Sequence, residues 1–459
     1  MSETKQNIEY LYGQTPSNWN VVGVSSDTST YYMAVAGTFS NTGWFKVHQF
    51  DVQGRLLKYG NWINAVGVGT YEPIFNVKFR YEGGVTRDPG YVPSGPPREN
   101  PGGGIGTTPP PAPPTPPSGP NLETIETDYS LTDGYGEADV HNALEDLLEI
   151  TIPEEAPVGG NFQEDLYGID AIGAPEAWLA GYTGQDIIVA VIDTGVDVNH
   201  IELDNNIWQN TDEIPNNGID DDNNGYIDDT VGWDWVNDDN TVEDLDGHGT
   251  HVAGTIAAEN NGIGLIGAAY DAKIMPIKVL PADDEVGGGT WEDLAAGIRY
   301  AVDNGAHVIN MSLGGGYFPP LVVQDAIEYA NDNNVICVMA AGNAFIEDPV
   351  NAVSPEAPGN FASEFGIVVG AVDSNGNMAS FSNRAGNPID WKNDGDKELL
   401  YVTSAGVGIW STLPNDSIGA LNGTSMATPL VAAACAILLQ ADPSLTPDQI
   451  RVLLANNTK

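Results

Sequence analysis

Cysteine is nearly missing from this 459-residue sequence; Cys337 and Cys435 are the whole supply, set in the apolar runs VICVMA and AAACAILL. Disulfide stapling is therefore not needed as a source of stability, and both thiols read as small buried apolar groups. Basic residues are scarce as well. Sixteen Lys and Arg face 64 Asp and Glu, a formal net charge of −48. Residues 1–120 carry eight of each sign, so the whole imbalance sits in residues 121–459. Such a surface repels nucleic acid and anionic membranes and attracts divalent cations and basic ligands. No apolar run approaches the roughly 18 residues of a membrane span, so no transmembrane segment is expected. The opening MSETKQNIEY lacks the basic and apolar regions of a secretory signal. Three locations stay open: the cytoplasm, leaderless export, or carriage on a larger particle such as a virion.

What is present divides the chain. Residues 1–86 hold short alternating apolar and polar runs such as YYMAVAGTF and WFKVHQFDV, the pattern of a small all-β module. Its role is unknown, and docking to a larger assembly or surface is one expectation for it. Residues 87–120, with GGGIGTTPPPAPPTPPSGP, read as a semi-rigid linker. Residues 121–160 suggest an acidic amphipathic helix over 138–150 and then an extended leader, TIPEEAPVGGN. From about 161 to 459 the pattern changes. Val- and Ile-rich runs (DIIVAVID, KIMPIKVL, AHVINMSL, NVICVMAA) alternate with helical segments. This predicts an α/β fold, a doubly wound, mostly parallel sheet covered on both faces. Functional groups in such folds gather at the carboxyl ends of the strands.

Three segments fit that expectation. Asp193 ends the run IIVAVID, His248 lies in GHGTHVAGT at a loop-to-helix junction, and Ser425 lies in NGTSMATP ahead of VAAACAILLQA. A serine hydroxyl needs an imidazole to take its proton, and the imidazole needs a carboxylate to hold its tautomer. A helix N-terminus at Ser425 would add positive potential beside a developing oxyanion. Asn343, in AAGN, is a candidate oxyanion donor. Each residue also has a plain structural reading: Asp193 and Asn343 as turn formers, Ser425 as an N-cap. His248 and His251 stand three apart, which raises a zinc alternative, but no Glu stands between them as in HExxH and no third ligand is evident. His48, His141, His200 and His307 read as structural or surface residues.

The stretch NGIDDDNNGYIDD (217–229) crowds five aspartates and three asparagines into thirteen positions. A solvated acidic loop is the ordinary reading. However, Asp220, Asp222, Asn224 and Gly225 also fit the opening of a calcium loop, in which alternate oxygens converge on a hard cation. The twelfth position is Val231 rather than Glu, so the loop is not an EF-hand. Tyr226 would contribute at the next alternate position, and Asp228 or Asp229 would have to complete the shell.

Taken together, VIDTGVD, HGTHVAGT, VINMSLGG, AAGN and NGTSMATP, in the order Asp, His, Asn, Ser, resemble the subtilisin-like serine proteases, over roughly residues 163–459. The resemblance implies a calcium-stabilised serine endopeptidase acting on protein or peptide substrates. Asp193, His248 and Ser425 would be its triad and Asn343 its oxyanion donor. Ser312, Leu313 and Gly314 would pair with the substrate backbone, with Gly342 beside them. A second calcium site is implied, with Glu202, the side chains of Gln163 and Asn261, and the carbonyls of Ile263 and Leu265 as ligands. The chain departs from the family pattern at Pro429-Leu430, where Pro-His is usual, and at Ser404-Ala405-Gly406, where Ala-Pro-Gly is usual. By the same resemblance Asp283, Asp284, Glu285 and Asp246 border the substrate groove and Glu356 reaches the primary specificity pocket. A preference for basic residues upstream of the cleaved bond follows. The segment 147–157 is expected to lie across the cleft as a leader. The rival reading from another class is a non-catalytic calcium-binding surface or assembly protein that keeps the fold.

Overall fold

The computed structural model describes residues 122, 124–125, 127–153, 166–282, 288–316, 321–350, 352–386 and 399–459, and the backbone of five N-terminal strands. The chain divides into two units, Met1–Ala112 and Pro113–Lys459, with the boundary inside the Pro/Gly-rich tract. In the first unit the strands are Trp19–Ser26 (β1), Thr30–Gly37 (β2), Trp44–Asp51 (β3), Leu56–Lys58 (β4) and Trp62–Asn64 (β5). They pair antiparallel in the order β1-β2-β3-β4, and β5 also pairs with β3.

The second unit opens with helices Val140–Leu148 (α1), Tyr167–Ala171 (α2) and Ala174–Leu179 (α3). Strands Ile188–Asp193 (β6) and Trp233–Asp234 (β7) follow, then helix His248–Ala257 (α4) and strand Lys273–Lys278 (β8). Next come Trp291–Asp303 (α5), Val308–Met311 (β9), Leu321–Asp332 (α6), Ile336–Ala340 (β10), Ile367–Val372 (β11) and Tyr401–Ala405 (β12). A hairpin of Ile409–Leu413 (β13) and Ser417–Leu421 (β14) leads to Thr424–Ala441 (α7) and Pro447–Asn456 (α8).

The seven-stranded sheet has the order β12-β11-β10-β9-β6-β8-β7, and every adjacent pair runs parallel. Alternate residues face opposite sides, as the period of a strand requires. Val189, Val191, Val308, Ile336 and Val338 enter the core beneath α4 and α7. Ala190, Ile192, Ile309, Cys337 and Met339 enter the core shared with α5 and α6. Two-sided burial explains why these strands read as continuous apolar runs. Both cysteines are free and buried.

The strand order reverses between β6 and β9. After β6 the chain passes to the edge strand β7 and returns to β8 beside β6, then crosses by α5 to β9 on the other side. A crevice at the carboxyl ends opens at such a switch point.

Two segments bear on the reading of the sequence. Among the described residues α7 is long and apolar enough to cross a membrane, but 83% of it is buried inside the unit. It packs on strands β9–β12, and that burial accounts for its composition. The described part of 121–160 packs within the second unit. Asp139 caps α1 and pairs with Lys459 at 3.2 Å, and Val140, Ala143 and Leu144 are buried. The Tyr135 and Ala138 amides donate to Tyr401 and Thr403, at the edge strand of the sheet.

Candidate active site

Asp193, the last residue of β6, is fully buried. His248 is the first residue of α4, and its Nδ1 lies 2.7 Å from Asp193 Oδ1. The same oxygen accepts the Thr194 amide at 2.8 Å, while Oδ2 is buried without a hydrogen bond. Among the described residues the imidazole is thus the carboxylate's only side-chain donor, which places a ring proton on Nδ1 and leaves Nε2 toward the cleft. Burial of His248 favours the neutral ring, but the charges of Asp193, Asp246 and Asp244 outweigh it and raise the pKa to about 9.

Helix and strand meet this closely because position 249 has no side chain. A Cβ on Gly249 would stand 2.0 Å from the Gly195 carbonyl oxygen. A clamp invisible in the sequence motif holds the same junction. Asp244, 3% exposed, accepts the Thr194 hydroxyl at 3.0 Å, the Gly247 amide at 2.8 Å and both the amide and hydroxyl of Thr250. One carboxylate thereby ties the exit of β6 to the first turn of α4. Acidic groups are favourable there, because free amides and the helix dipole present positive charge.

Ser425 stands in the first turn of α7, and Gly423 takes the N-cap position instead. Pro429, inside the helix, has no N–H to offer the Ser425 carbonyl four residues back. That carbonyl instead accepts the Ser312 hydroxyl at 2.8 Å, and Ser425 Oγ donates to the Ser312 carbonyl at 3.0 Å. The serine hydroxyl therefore points toward the segment after β9 rather than toward His248.

Asn343 lies three residues beyond β10. Its Oδ1 accepts both the Thr424 amide, at 2.9 Å, and the Thr424 hydroxyl, at 3.1 Å. An amide N–H can only donate, so the oxygen is the inner atom and Nδ2 is the outer one. The Thr424 hydroxyl also accepts the Gly342 amide, at 3.1 Å. Thr424 thus sets the position of 342–343, a role the sequence motif did not reveal.

His248, Asn343, Thr424 and Ser425 line one cleft of about 840 Å³, with Asp246, Ser312, Leu313, Gly314, Gly342 and Glu356 on its walls. Among the described residues the backbones of Leu313 and Gly314 make no hydrogen bond, the condition for receiving an extended chain as an added strand. Glu356 is half-buried. Residues 147–153 do not line the cleft; Ile152 turns back onto α1, where its amide meets Glu145. Residues 154–157 and Asp283, Asp284 and Glu285 lie outside the described residues.

A family profile described as the subtilase family matches residues 184–459. The chain belongs to the subtilase family. Subtilisin E of Bacillus subtilis (strain 168) is 38% identical over 299 residues, covering 65% of this chain and 67% of its own length. Subtilisin BL of Lederbergia lenta is 37% identical over 290 residues, 63% of this chain and 90% of its own. A solved cold adapted subtilisin-like serine proteinase aligns at 30% identity over 59% of this chain and 81% of its own, with a TM-score of 0.45. Like other subtilases, this chain is a serine endopeptidase.

Other histidines in this subtilase serve as hydrogen-bonding core. His251 is fully buried, its Nε2 bonds the Ile409 carbonyl at 2.9 Å, and burial lowers its pKa to about 4. His200 and His307 bond the Ser417 carbonyl and the Ile188 amide, and His141 bonds the Ile152 carbonyl. His48 lies outside the described side chains. The two histidines of α4 therefore do not form a zinc pair.

The acidic loop brings together Asp220, Asp222 and, unexpectedly, Glu213, with a carboxylate oxygen of each within 4.8 Å of the others. The two aspartates expected to complete this shell make hydrogen bonds beside the cluster. Asp228 accepts the amides of Asn217 and Gly218. Asp229 is fully buried and accepts from the Tyr300 hydroxyl, Asn210 and Asn224. Asn224 is spent on the Tyr226 amide, Asp222 and Asp229. The Tyr226 ring packs against Trp233, Trp235 and Tyr300 at 4.9–5.6 Å.

At the second position, Glu202 is 3% exposed and its Oε2 is buried without a hydrogen bond. Burial, countered by a hydrogen bond from Asn261 and reinforced by Glu259, raises its pKa to about 7. The 261–265 loop folds over it: a Cβ on Gly264 would stand 2.1 Å from Glu202 Oε1. Gln163 lies outside the described residues. A buried carboxylate oxygen without a hydrogen bond, close to the 261–265 loop, fits a hard divalent cation.

Proposed function

We propose that Asp193, His248 and Ser425 act as the catalytic triad and Asn343 as oxyanion donor. The observation that carries this reading is the 2.7 Å Asp193–His248 contact beside Ser425 in one cleft. A substrate strand pairs with Leu313–Gly314 and sets its carbonyl beside Ser425. Rotation of the Ser425 side chain from the Ser312 carbonyl brings Oγ to His248 Nε2. Oγ bonds the carbonyl carbon as Nε2 takes its proton, and Asp193 stabilises the imidazolium. The oxyanion is met by Asn343 Nδ2 and the Ser425 amide at the positive end of α7. Collapse breaks the C–N bond, and His248 returns the proton to the departing amine. Water, deprotonated by the same nitrogen, then releases the acyl group.

Calcium would be held by Glu202, Asn261 and the Ile263 and Leu265 carbonyls, and by Glu213, Asp220 and Asp222, where it supplies structural charge neutralisation. A fluorophosphonate probe should label wild-type protein at Ser425 and leave Ser425→Ala unlabelled and inactive. Peptidase activity surviving in Ser425→Ala would remove the triad assignment.

A further inference from the structure

The sequence contains six Asn-Gly pairs, at 217–218, 224–225, 261–262, 304–305, 375–376 and 422–423. Such a pair is chemically labile. With no side chain on the glycine, its backbone nitrogen can reach the asparagine side-chain carbonyl carbon and close a ring. The fold restrains five of the six. The Gly218 amide donates to Asp228 and the Gly225 amide to Asp220, each at 2.9 Å. The Gly305, Gly376 and Gly423 amides donate to the carbonyls of Val302, Asp373 and Gly406 at 2.9–3.1 Å.

Gly262 differs. Among the described residues its amide makes no hydrogen bond, and a Cβ placed on it would meet nothing within 4 Å. Asn261, Gly262 and Ile263 are all exposed, so water reaches the pair. Asn261 Oδ1 accepts the Ile263 amide at 3.0 Å, which closes a turn with the Gly262 nitrogen inside it. The same bond polarises the side-chain carbonyl and favours negative charge on Oδ1 when its carbon is attacked. Asn217 and Asn224 make the same turn, through the Ile219 and Tyr226 amides, but there the glycine nitrogen is bound to an aspartate.

We propose that Asn261–Gly262 is a site of spontaneous modification, at which the asparagine amide is lost and the loop over Glu202 is rearranged. The Gly262 nitrogen gives its proton to water and bonds Asn261 Cγ. The Cγ–Nδ2 bond breaks, ammonia leaves with a proton from water, and a cyclic imide remains. Water then opens the ring at either carbonyl, giving aspartate or isoaspartate, with no oxidant or reductant involved. This chemistry needs neither the triad nor a bound ion. Both products put a carboxylate beside Glu202 and Glu259 in place of a neutral amide that donates to Glu202. Isoaspartate also lengthens the main chain by a methylene. The loop lies so close to Glu202 that a Cβ on Gly264 would overlap its Oε1, so neither change is absorbed freely.

The test incubates full-length protein well below its Tm, at mildly alkaline pH, in water enriched in heavy oxygen. Chelator is present, with a serine-protease inhibitor to suppress self-cleavage. Peptide mapping by mass spectrometry follows conversion at all six pairs. Asn261 should convert first, roughly fivefold or more faster than each other pair, because those must first surrender an ordinary hydrogen bond. Its product should carry heavy oxygen and include isoaspartate, and Tm should fall as it accumulates. In urea the six rates should converge, since only the shared dipeptide then remains. Asn261→Gln, whose longer side chain closes the ring poorly, should stay unconverted at this position and keep its Tm through the incubation. Another pair converting first in folded protein, or all six at one rate, overturns the site. A lead for Asn261 that persists undiminished in urea overturns the role of the fold. An unchanged Tm once Asn261 is fully converted overturns the effect on the loop.

Discussion

Asn343 Oδ1 accepts the Thr424 amide at 2.9 Å, and this bond decides which end of the Asn343 side chain can meet a substrate. The oxygen is occupied by the start of the helix that carries Ser425, so the NH₂ group remains for the cleft. Asn343→Leu keeps the approximate size and removes the donor. It should lower kcat by roughly 10²–10³ with a smaller change in KM, since the bond forms to the transition state. Initial-rate measurements against the wild type decide; an unchanged kcat would exclude Asn343 as the donor.

The raised pKa of His248 has a pH signature. A protonated imidazole cannot accept the serine proton, so activity should rise as pH passes upward through the folded-state value. The acid limb of kcat/KM should therefore lie above 6.5, the ordinary imidazole value, toward about 9. Asp246→Asn removes one charge that raises it and should move the limb to lower pH. High salt should do the same by screening the exposed carboxylate. A limb at the ordinary value in both proteins would contradict this account.

Asp244 joins Thr194 to the opening turn of α4 and so positions His248 against Asp193. Asp244→Asn loses charge-assisted bonds to buried amides and hydroxyls and should cost about 1–3 kcal/mol of stability. Because the histidine then loses its register, kcat should fall more than KM changes. Thermal denaturation and steady-state kinetics read the two effects separately.

Glu202 links stability to both pH and calcium. A carboxyl whose folded pKa is raised holds its proton longer in the native state, so that contribution to stability declines as pH rises from about 4.5 to about 7. In chelator, wild-type protein should lose Tm across this window relative to Glu202→Gln. Millimolar calcium should restore it above pH 7 by binding the native state. Joint replacement of Asp220 and Asp222 should weaken the part of the calcium response that arises in the acidic loop. Matching wild-type Tm values in calcium and in chelator would remove both ion sites.

Residues 127–153 change what truncation should do. Removing residues 1–112 leaves the second unit whole. Removing residues 1–160 strips α1, exposing the surfaces that Val140, Ala143 and Leu144 cover, and breaks the Asp139–Lys459 pair. The longer deletion should lower Tm markedly and the shorter one should leave it nearly unchanged. Higher initial peptidase activity in the longer deletion, with undiminished Tm, would restore the view of this segment as a separable leader.

The alternating Val/Ile runs and helical segments determined the α/β class by themselves, because strands buried on both faces must be apolar at every position. The short motifs around Asp193, His248, Asn343 and Ser425 were equally legible, since each is a local turn or helix start whose residue types are dictated by nearby backbone. Tertiary structure decided the partners. Glu213 joins Asp220 from seven positions away, Asp244 reaches Thr194 across fifty, and Thr424 orients Asn343 across eighty-one. Glu356 meets Gly314 only after β10 and its neighbouring loops fold beside β9. No local pattern encodes such pairs, because they depend on which strand ends the sheet order brings together. The acidic run shows the difference most plainly: its composition suggested oxygen donors close together, while only the fold set Glu213 beside Asp220 and Asp222 and gave Asp228 and Asp229 hydrogen bonds from the backbone and from Tyr300.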